Sequence, residues 1–144
     1  MSSKASLFDL VGGLPVLEAV HKRFYDKMYA HPWLGTFFKG HDQRAIELRQ
    51  TQFMGWKMGG EINYPGMELE LAHRRMYITS EQLELRQAIL RESLQEEYLP
   101  AALIKRWLKI DAAFWSHIKN DSLASFQQID LKYEQPLIVP NPHA

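Results

Sequence analysis

The sequence contains no cysteine in 144 residues. Disulfides, zinc–thiolate sites, iron–sulfur clusters and a cysteine nucleophile are therefore excluded, and a reducing compartment is favoured. Net charge is also missing, because 17 basic residues balance 17 acidic ones, so no field of one sign favours nucleic acid or an anionic membrane. There is neither a membrane-length apolar run nor an apolar signal core after Met1. We therefore expect a cytoplasmic protein that binds no nucleic acid and no membrane.

Common catalytic motifs are absent as well. The sequence has no P-loop, no GxGxxG fingerprint, no HExxH, no EF-hand loop and no GxSxG. No two of the six histidines are three or four residues apart, which disfavours a metal site built from two histidines on one helix. A metal site that needs only one histidine remains open.

Most of the chain has apolar residues at helical spacing. The clearest stripe consists of Leu103, Trp107, Ile110, Phe114 and Ile118. Glycine pairs at 12–13 and 59–60 predict helix ends, and Thr79 with Gln82 predicts a capping box at a helix start. No convincing strand alternation precedes the tail. We therefore predict one all-α domain over residues 1–120.

The tail, residues 121–144, differs in composition from the rest of the chain. Pro136, Pro140 and Pro142 forbid a regular helix there. Two alternatives remain open, a disordered tail and one that lies extended across the body. The run 137–139 is apolar enough to dock.

Six sequence elements stand in a fixed order within the first part of the chain. They are Gly12-Gly13, Phe24-Tyr25, Phe37-Phe38, Gln50, Gly59-Gly60 and His73. At this spacing the set resembles a truncated haemoglobin, closest to group I, and the resemblance covers roughly residues 1–120. It implies a two-over-two helical sandwich around haem b (iron protoporphyrin IX). It also implies reversible binding of dioxygen and of other diatomic gases, NO and CO.

The resemblance implies that His73 is the ligand of the haem iron. A neutral imidazole suits iron, and its second ring nitrogen commonly donates to a backbone carbonyl. The carbonyl of Leu69, one helical turn earlier, is expected to accept this bond. The alternative is a solvated histidine beside Arg74 and Arg75.

Tyr25 and Gln50 are expected to face a gas ligand on the opposite side of the haem. A buried tyrosine hydroxyl requires a hydrogen-bond partner, and bound dioxygen would supply one. The Gln50 amide would donate to the same ligand or hold the phenol in place. The alternatives are a core tyrosine that reaches a carbonyl and a glutamine at the surface.

Further residues are expected to contact the haem itself. The resemblance places Ile46 at the distal gate and Phe38 flat against the porphyrin. Apolar contacts are completed by Phe53, Leu69 and Met76. Arg49, and Arg75 from the proximal side, would pair with haem propionates. For each arginine, a plain solvated side chain is an equal alternative.

Several positions depart from the family pattern. Arg86 stands where relatives carry an apolar residue or tryptophan near the distal pocket. Either Arg86 reaches into the pocket, or the helix is rotated so that Leu85 and Ile89 face the haem, and we favour the rotation. Two bulky residues, Trp56 and Met58, would narrow gas tunnels. His117 occupies a place where some relatives attach a haem vinyl covalently, but a surface histidine is favoured.

One pocket of this kind supports several functions. They include gas binding, NO dioxygenation with a reductase as partner, gas sensing through the tail and weak peroxidase-like chemistry. Fold-level resemblance does not choose among them, so whether the protein is an enzyme stays open, and we rank gas binding first. The alternative function without haem is that of a globin-like protein-interaction domain. The protein is expected to be a monomer or a weak homodimer.

Overall fold

The computed structural model describes residues 5–62, 64, 73–129, 131 and 134–142. These residues form helices and, outside the helices, one isolated bridge. The helices are α1 (Leu7–Val11), α2 (Leu14–Ala30), a 3₁₀ helix (Leu34–Phe38), α3 (Gln43–Lys57), α4 (Ser80–Glu96), α5 (Ala101–Trp115) and α6 (Leu123–Gln127). The all-helical fold class is therefore confirmed. None of these helices is long and apolar enough to cross a membrane.

Local sequence signals set the helix boundaries that position the cavity. Gly12 ends α1 with a φ of 112°, a left-handed conformation that favours glycine. Pro15 lies in the first turn of α2, where its missing N–H leaves no hydrogen bond unmade. At α4, the Thr79 side chain accepts from the Gln82 amide, and the Gln82 side chain accepts from the Thr79 amide. The predicted capping box is thus confirmed.

Helix α2 is the centre of the packing. It lies against the 3₁₀ helix, α3 and α4, while α4 also packs against α5, and α1 touches α5. The core between these helices contains fully buried side chains, among them Leu17, Phe24, Leu90, Leu94 and Trp107. Burial of this apolar surface is the main stabilising contribution to the fold. The core also fixes α2, α3 and α4 as walls of a cavity beside it.

The tail docks on the body. Leu137 forms a parallel bridge with Met76, and the indole Nε1 of Trp33 donates to the Val139 carbonyl at 2.9 Å. Val139 is buried. Leu137 and Val139 are therefore held against the body of the protein. The expectation that prolines forbid a regular helix in the tail is wrong for residues 123–127, because this stretch precedes Pro136. The short helix α6 there buries Phe126 against Tyr77, with ring centroids 5.2 Å apart.

Candidate functional site

A cavity of about 220 Å³ lies between α2, the 3₁₀ helix, α3, α4, the end of α5 and the segment 73–78. We call it the inner cavity. Its walls are mostly apolar and aromatic, with a few polar groups. The lining residues are Tyr25, Met28, Leu34, Phe37, Phe38, His41, Ile46, Arg49, Gln50, His73, Met76, Ile78, Gln82, Leu83, Arg86, Phe114 and Trp115.

His73 reaches the inner cavity from the segment that precedes α4. Its ring stands edge-on to Trp115, with centroids 5.0 Å apart, and to Phe114 at 6.5 Å. The His73 carbonyl accepts from the Met76 amide at 2.9 Å. The side chain is half-buried, unlike the fully solvated alternative. Leu69, whose carbonyl was expected to hold the imidazole, lies outside the described residues.

Tyr25 brings a phenol to the cavity from α2. The side chain is 6% exposed, and its ring lies edge-on to Phe38 at 5.8 Å. Burial raises the pKa of Tyr25 to about 12, against the opposing charge of Arg86. The phenol is therefore protonated at neutral pH and is available as a hydrogen-bond donor.

Helix α3 contributes three of the expected residues. Ile46 and Gln50 lie one turn apart and both line the inner cavity, each partly buried. Arg49 lines it too, but its side chain is exposed, which places the guanidinium at the rim. The face of α3 that is turned to the inner cavity therefore carries the aliphatic side chain of Ile46 and the amide of Gln50, with the charged group of Arg49 at its edge.

Arg86 differs most from the sequence-based expectation. The favoured rotation of α4, with Leu85 and Ile89 turned to the cavity, is wrong, because these two pack against the core and Arg86 lines the cavity. The reason is Asp111 on α5, whose Oδ2 accepts from Arg86 Nη1 at 2.5 Å. A buried charge requires a partner, and this pair fixes which face of α4 points inwards.

Two of the expected residues, Phe53 and Arg75, are not among the described residues that line the inner cavity. Phe53 packs against Phe114, with centroids 5.2 Å apart, and against Tyr64 at 5.6 Å. Arg75 Nη1 donates to the Gln135 carbonyl at 3.3 Å in the tail. Leu69 is outside the described residues. Phe38 and Met76, by contrast, lie in the lining.

The other departures from the family pattern also lie away from the described lining. Trp56 is half-exposed and stacks on Tyr64 at 6.1 Å. Met58 is buried in the core. His117 is exposed on the turn after α5. The two bulky residues therefore do not narrow the inner cavity itself.

Sequence reasoning missed several lining residues. Phe114 was assigned only to a helix stripe, and its neighbour Trp115 was not singled out. Gln82 was recognised as a cap, yet it also lines the cavity. His41 lines it too, with an exposed side chain. The stripe on α5 was the one signal that placed Phe114 on an inward face.

Comparison with known proteins identifies the fold and the family. A model of the family described as bacterial-like globin matches residues 6–127. The chain belongs to this family. It is 28% identical to the group 1 truncated hemoglobin GlbN of Mycolicibacterium paratuberculosis over 104 residues, which are 72% of this chain and 76% of that protein. It is 32% identical to the group 1 truncated hemoglobin LI410 of Chlamydomonas moewusii over 69 residues, 48% of this chain and only 40% of that protein.

A solved structure supports the same architecture. The truncated hemoglobin of Tetrahymena pyriformis in its Fe(III) form superposes with a TM-score of 0.75 at 23% identity, covering 81% of this chain and all (100%) of that one. This likeness shows the fold, and the two-over-two helical arrangement is confirmed. Membership of the truncated globins suggests binding of a gas through haem.

The residues of the inner cavity fit a haem group. Aromatic and aliphatic side chains form most of its walls, as a flat apolar macrocycle requires. A half-buried imidazole, His73, opens onto it, and one such ligand is enough to hold haem iron. Arg49 stands at the rim, where a carboxylate of the porphyrin edge would find a charged partner.

Proposed function

We propose that this protein holds haem b in the inner cavity through His73. It binds dioxygen reversibly at this haem and can bind CO or NO in its place. The observation that carries the proposal is that one cavity is lined by both the His73 imidazole and the protonated Tyr25 phenol. The imidazole is a suitable ligand for iron. The phenol is a suitable hydrogen-bond donor to a bound gas that carries partial negative charge. Bound haem would supply an iron with a coordination position open to diatomic gases.

The walls of the cavity would hold the group and keep water out. Phe38, Ile46 and Met76 present apolar surface to it, and apolar contact of this kind is worth about 25 cal/mol for each Å² buried. Arg49 is free of the core and exposed at the rim. A guanidinium there is suited to pair with a propionate.

Tyr25 and Gln50 would act on the gas. Both line the inner cavity, and the raised pKa of Tyr25 keeps its proton in place. A hydrogen bond to a ligand atom with partial negative charge contributes about 1–3 kcal/mol. That is roughly a tenfold to hundredfold slower release.

The experiment is stopped-flow measurement of dioxygen release from the reduced haem protein and from Tyr25→Phe. We expect release to be about tenfold to hundredfold faster in the variant, because the donor is lost while the ring is kept. Tyr29→Phe is the matched control. Tyr29 lies one turn along α2, stacks on Phe38 at 4.7 Å and donates to the His41 carbonyl at 3.2 Å instead of lining the cavity. An unchanged release rate in Tyr25→Phe, or an equal increase in the control, would contradict this role.

A further inference from the structure

The Arg86–Asp111 ion pair lies in the wall between the inner cavity and a second one. The second cavity, of about 240 Å³, lies between α4 and α5, and we call it the outer cavity. Its lining includes Glu84, Asp111 and Lys119. Arg86 lines both cavities, whereas Asp111 lines only the outer one. The inner cavity is therefore lined by the cationic partner, Arg86, and not by the anionic partner, Asp111.

The guanidinium of Arg86 is held in place from several sides. Its carbon lies 4.9 Å from the ring centroid of Phe24 and 4.7 Å from that of Trp115. The side chains of Arg86 and Asp111 are 8% and 2% exposed. Asp111 Oδ2 also accepts from Gln87 Nε2. An arginine fixed in this way does not swing out to water, so its charge stays at the wall of the cavity.

The electrostatic effect at the inner cavity has a definite sign. On the Tyr25 phenol, the charge of Arg86 lowers the pKa more than the charge of Asp111 raises it. Arg86 also lowers the pKa of His21, after the larger effect of burial. Because an interior of low dielectric constant screens charges weakly, the charge of Arg86 acts on a ligand beside Tyr25 more strongly than the charge of Asp111 does.

A guanidinium also has more donors than Asp111 uses. Arginine carries five N–H groups in a planar fork; one of them, on Nη1, is directed to Asp111, and a hydrogen bond from Arg86 also lowers the pKa of Tyr25. Tyr25 presents a second donor to the same cavity. Two fixed donors, one of them on a guanidinium, are the features that stabilise an anion relative to a neutral ligand of the same size.

We propose that Arg86 makes the inner cavity selective for small inorganic anions, of the azide and nitrite class, over neutral ligands of similar size. The inference rests on the proposed function, since the anion would bind beside the haem that His73 holds. Asp111, on the far side of the wall, balances the charge without entering the cavity. Arg86 is thus a specificity-determining residue that the family pattern does not include.

The test is an optical titration of the ferric haem protein with sodium azide, set beside a titration of the ferrous protein with CO. The main variant is the double substitution Arg86→Leu/Asp111→Leu, because removing both partners avoids leaving a buried unpaired carboxylate. We expect azide to bind about tenfold to hundredfold more weakly in this variant, as expected for the loss of a hydrogen bond to a charged group. CO affinity should change by less than about threefold, since CO carries little charge.

Two further variants sharpen the result. Arg86→Lys keeps the charge and should retain most of the azide affinity. Arg91→Leu removes an arginine from the exposed face of the same helix, where solvent screens the charge, and should leave both titrations unchanged. Unaltered azide affinity in the double variant, or an equal loss for azide and CO, would overturn the proposal.

A haem-free measurement separates this inference from the proposed function. In ¹⁵N spectra of the haem-free protein, the Arg86 Nε–Hε signal is identified by its loss in the double variant. Added azide should shift this signal, and not that of Arg91. If no form of the protein takes up haem, the proposed function fails and this titration alone decides the anion site. An Arg86 signal that azide does not move would then overturn it.

Discussion

Two walls of the same cavity are stabilised in different ways. The tyrosine wall consists of α2 and α4 with Tyr25 and Arg86, and the histidine wall is the segment 73–78. In the tyrosine wall, a charged group is buried and paired with Asp111 inside regular helices. In the histidine wall, backbone hydrogen bonds to the tail hold an irregular segment, Leu137 N to the Arg75 carbonyl at 2.6 Å and Tyr77 N to the Leu137 carbonyl at 2.9 Å.

Because of this difference, the tyrosine wall contributes to the stability of the whole domain, whereas the tail contacts order only the histidine wall. Breaking a buried ion pair leaves an uncompensated charge in the core, which destabilises the whole domain. Breaking a contact of the tail releases only the segment that it holds, since stability is not uniform over a structure. The donor side of the proposed gas site should therefore be rigid, and the side that carries the proposed iron ligand should depend on the tail.

The largest effect is expected at the tyrosine wall. Arg86→Leu should lower the free energy of unfolding of the haem-free protein by about 3–5 kcal/mol, because the Asp111 carboxylate is left buried without a counter-charge. Urea denaturation followed by circular dichroism measures this. The double variant Arg86→Leu/Asp111→Leu should recover most of the loss. If the single and double variants were equally destabilised, the ion pair would not be the cause.

The second prediction concerns pH and also tests the tyrosine wall. His21 is buried, bonded through Nδ1 to Thr51 Oγ1 at 2.7 Å, and burial with the charge of Arg86 lowers its pKa from 6.5 to about 3. The unfolded state therefore binds a proton below pH 6.5 that the folded state does not. The stability from His21 is present above pH 6.5 and is lost as the pH falls, by about 1.4 kcal/mol for each pH unit.

Urea unfolding of the wild type and of His21→Gln between pH 6.5 and 4 checks this slope. Glutamine does not titrate and keeps a polar group for Thr51. The wild type should lose stability faster than the variant by about 1.4 kcal/mol per pH unit. Parallel curves would show that His21 is not held neutral by the fold.

The third prediction tests the histidine wall. Trp33→Phe removes the donor to the Val139 carbonyl and should destabilise the docked tail by about 1 kcal/mol. Amide exchange at Tyr77 and Leu137 should then become about fivefold faster, while exchange in α2 stays unchanged. Trp56→Phe is the matched control, because Trp56 is half-exposed and stacks on Tyr64. Equal acceleration throughout the molecule would remove the distinction between the walls.

The smallest effect is expected for the exposed ion pair of the tail. Arg74 Nη2 lies 2.9 Å from Glu134 Oε1, and both side chains are partly exposed. Such pairs contribute about 0–1 kcal/mol and weaken in salt. Glu134→Gln should therefore raise amide exchange at Tyr77 slightly at low ionic strength and not at all in high salt. A large effect independent of salt would mean that charge, and not backbone pairing, holds the tail.

Features that depend on nearby residues were predictable from the sequence. The end of α1 at Gly12 and the capping box of Thr79 and Gln82 both involve residues within a few positions of each other. The order of helices and the approach of Tyr25, Gln50 and His73 to one cavity followed from periodicity together with the family resemblance. The helix end and the capping box need no knowledge of the packing partner, whereas the approach of the three distant residues was implied by the resemblance alone.

Features that depend on distant residues were not predictable in the same way. The direction of Arg86 is set by Asp111, 25 residues later, and the docking of the tail by Trp33, 106 residues before Val139. In α4, the helical spacing of Leu83, Leu90 and Leu94 identifies an apolar face but does not indicate that a charge lies inside the protein. A buried ion pair is encoded by two separate helices, so neither helix alone predicts it.

The role proposed for His73, as the protein ligand of haem, has a direct test. The haem-free protein is titrated with haemin, reduced under CO, and its Soret band is recorded. We expect one haem bound per chain in the wild type, with loss of this spectrum in His73→Gly and its recovery when imidazole is added. His41→Gly, which removes an exposed histidine from the same lining, should behave like the wild type. A wild-type spectrum in His73→Gly, or its loss in His41→Gly, would contradict the account.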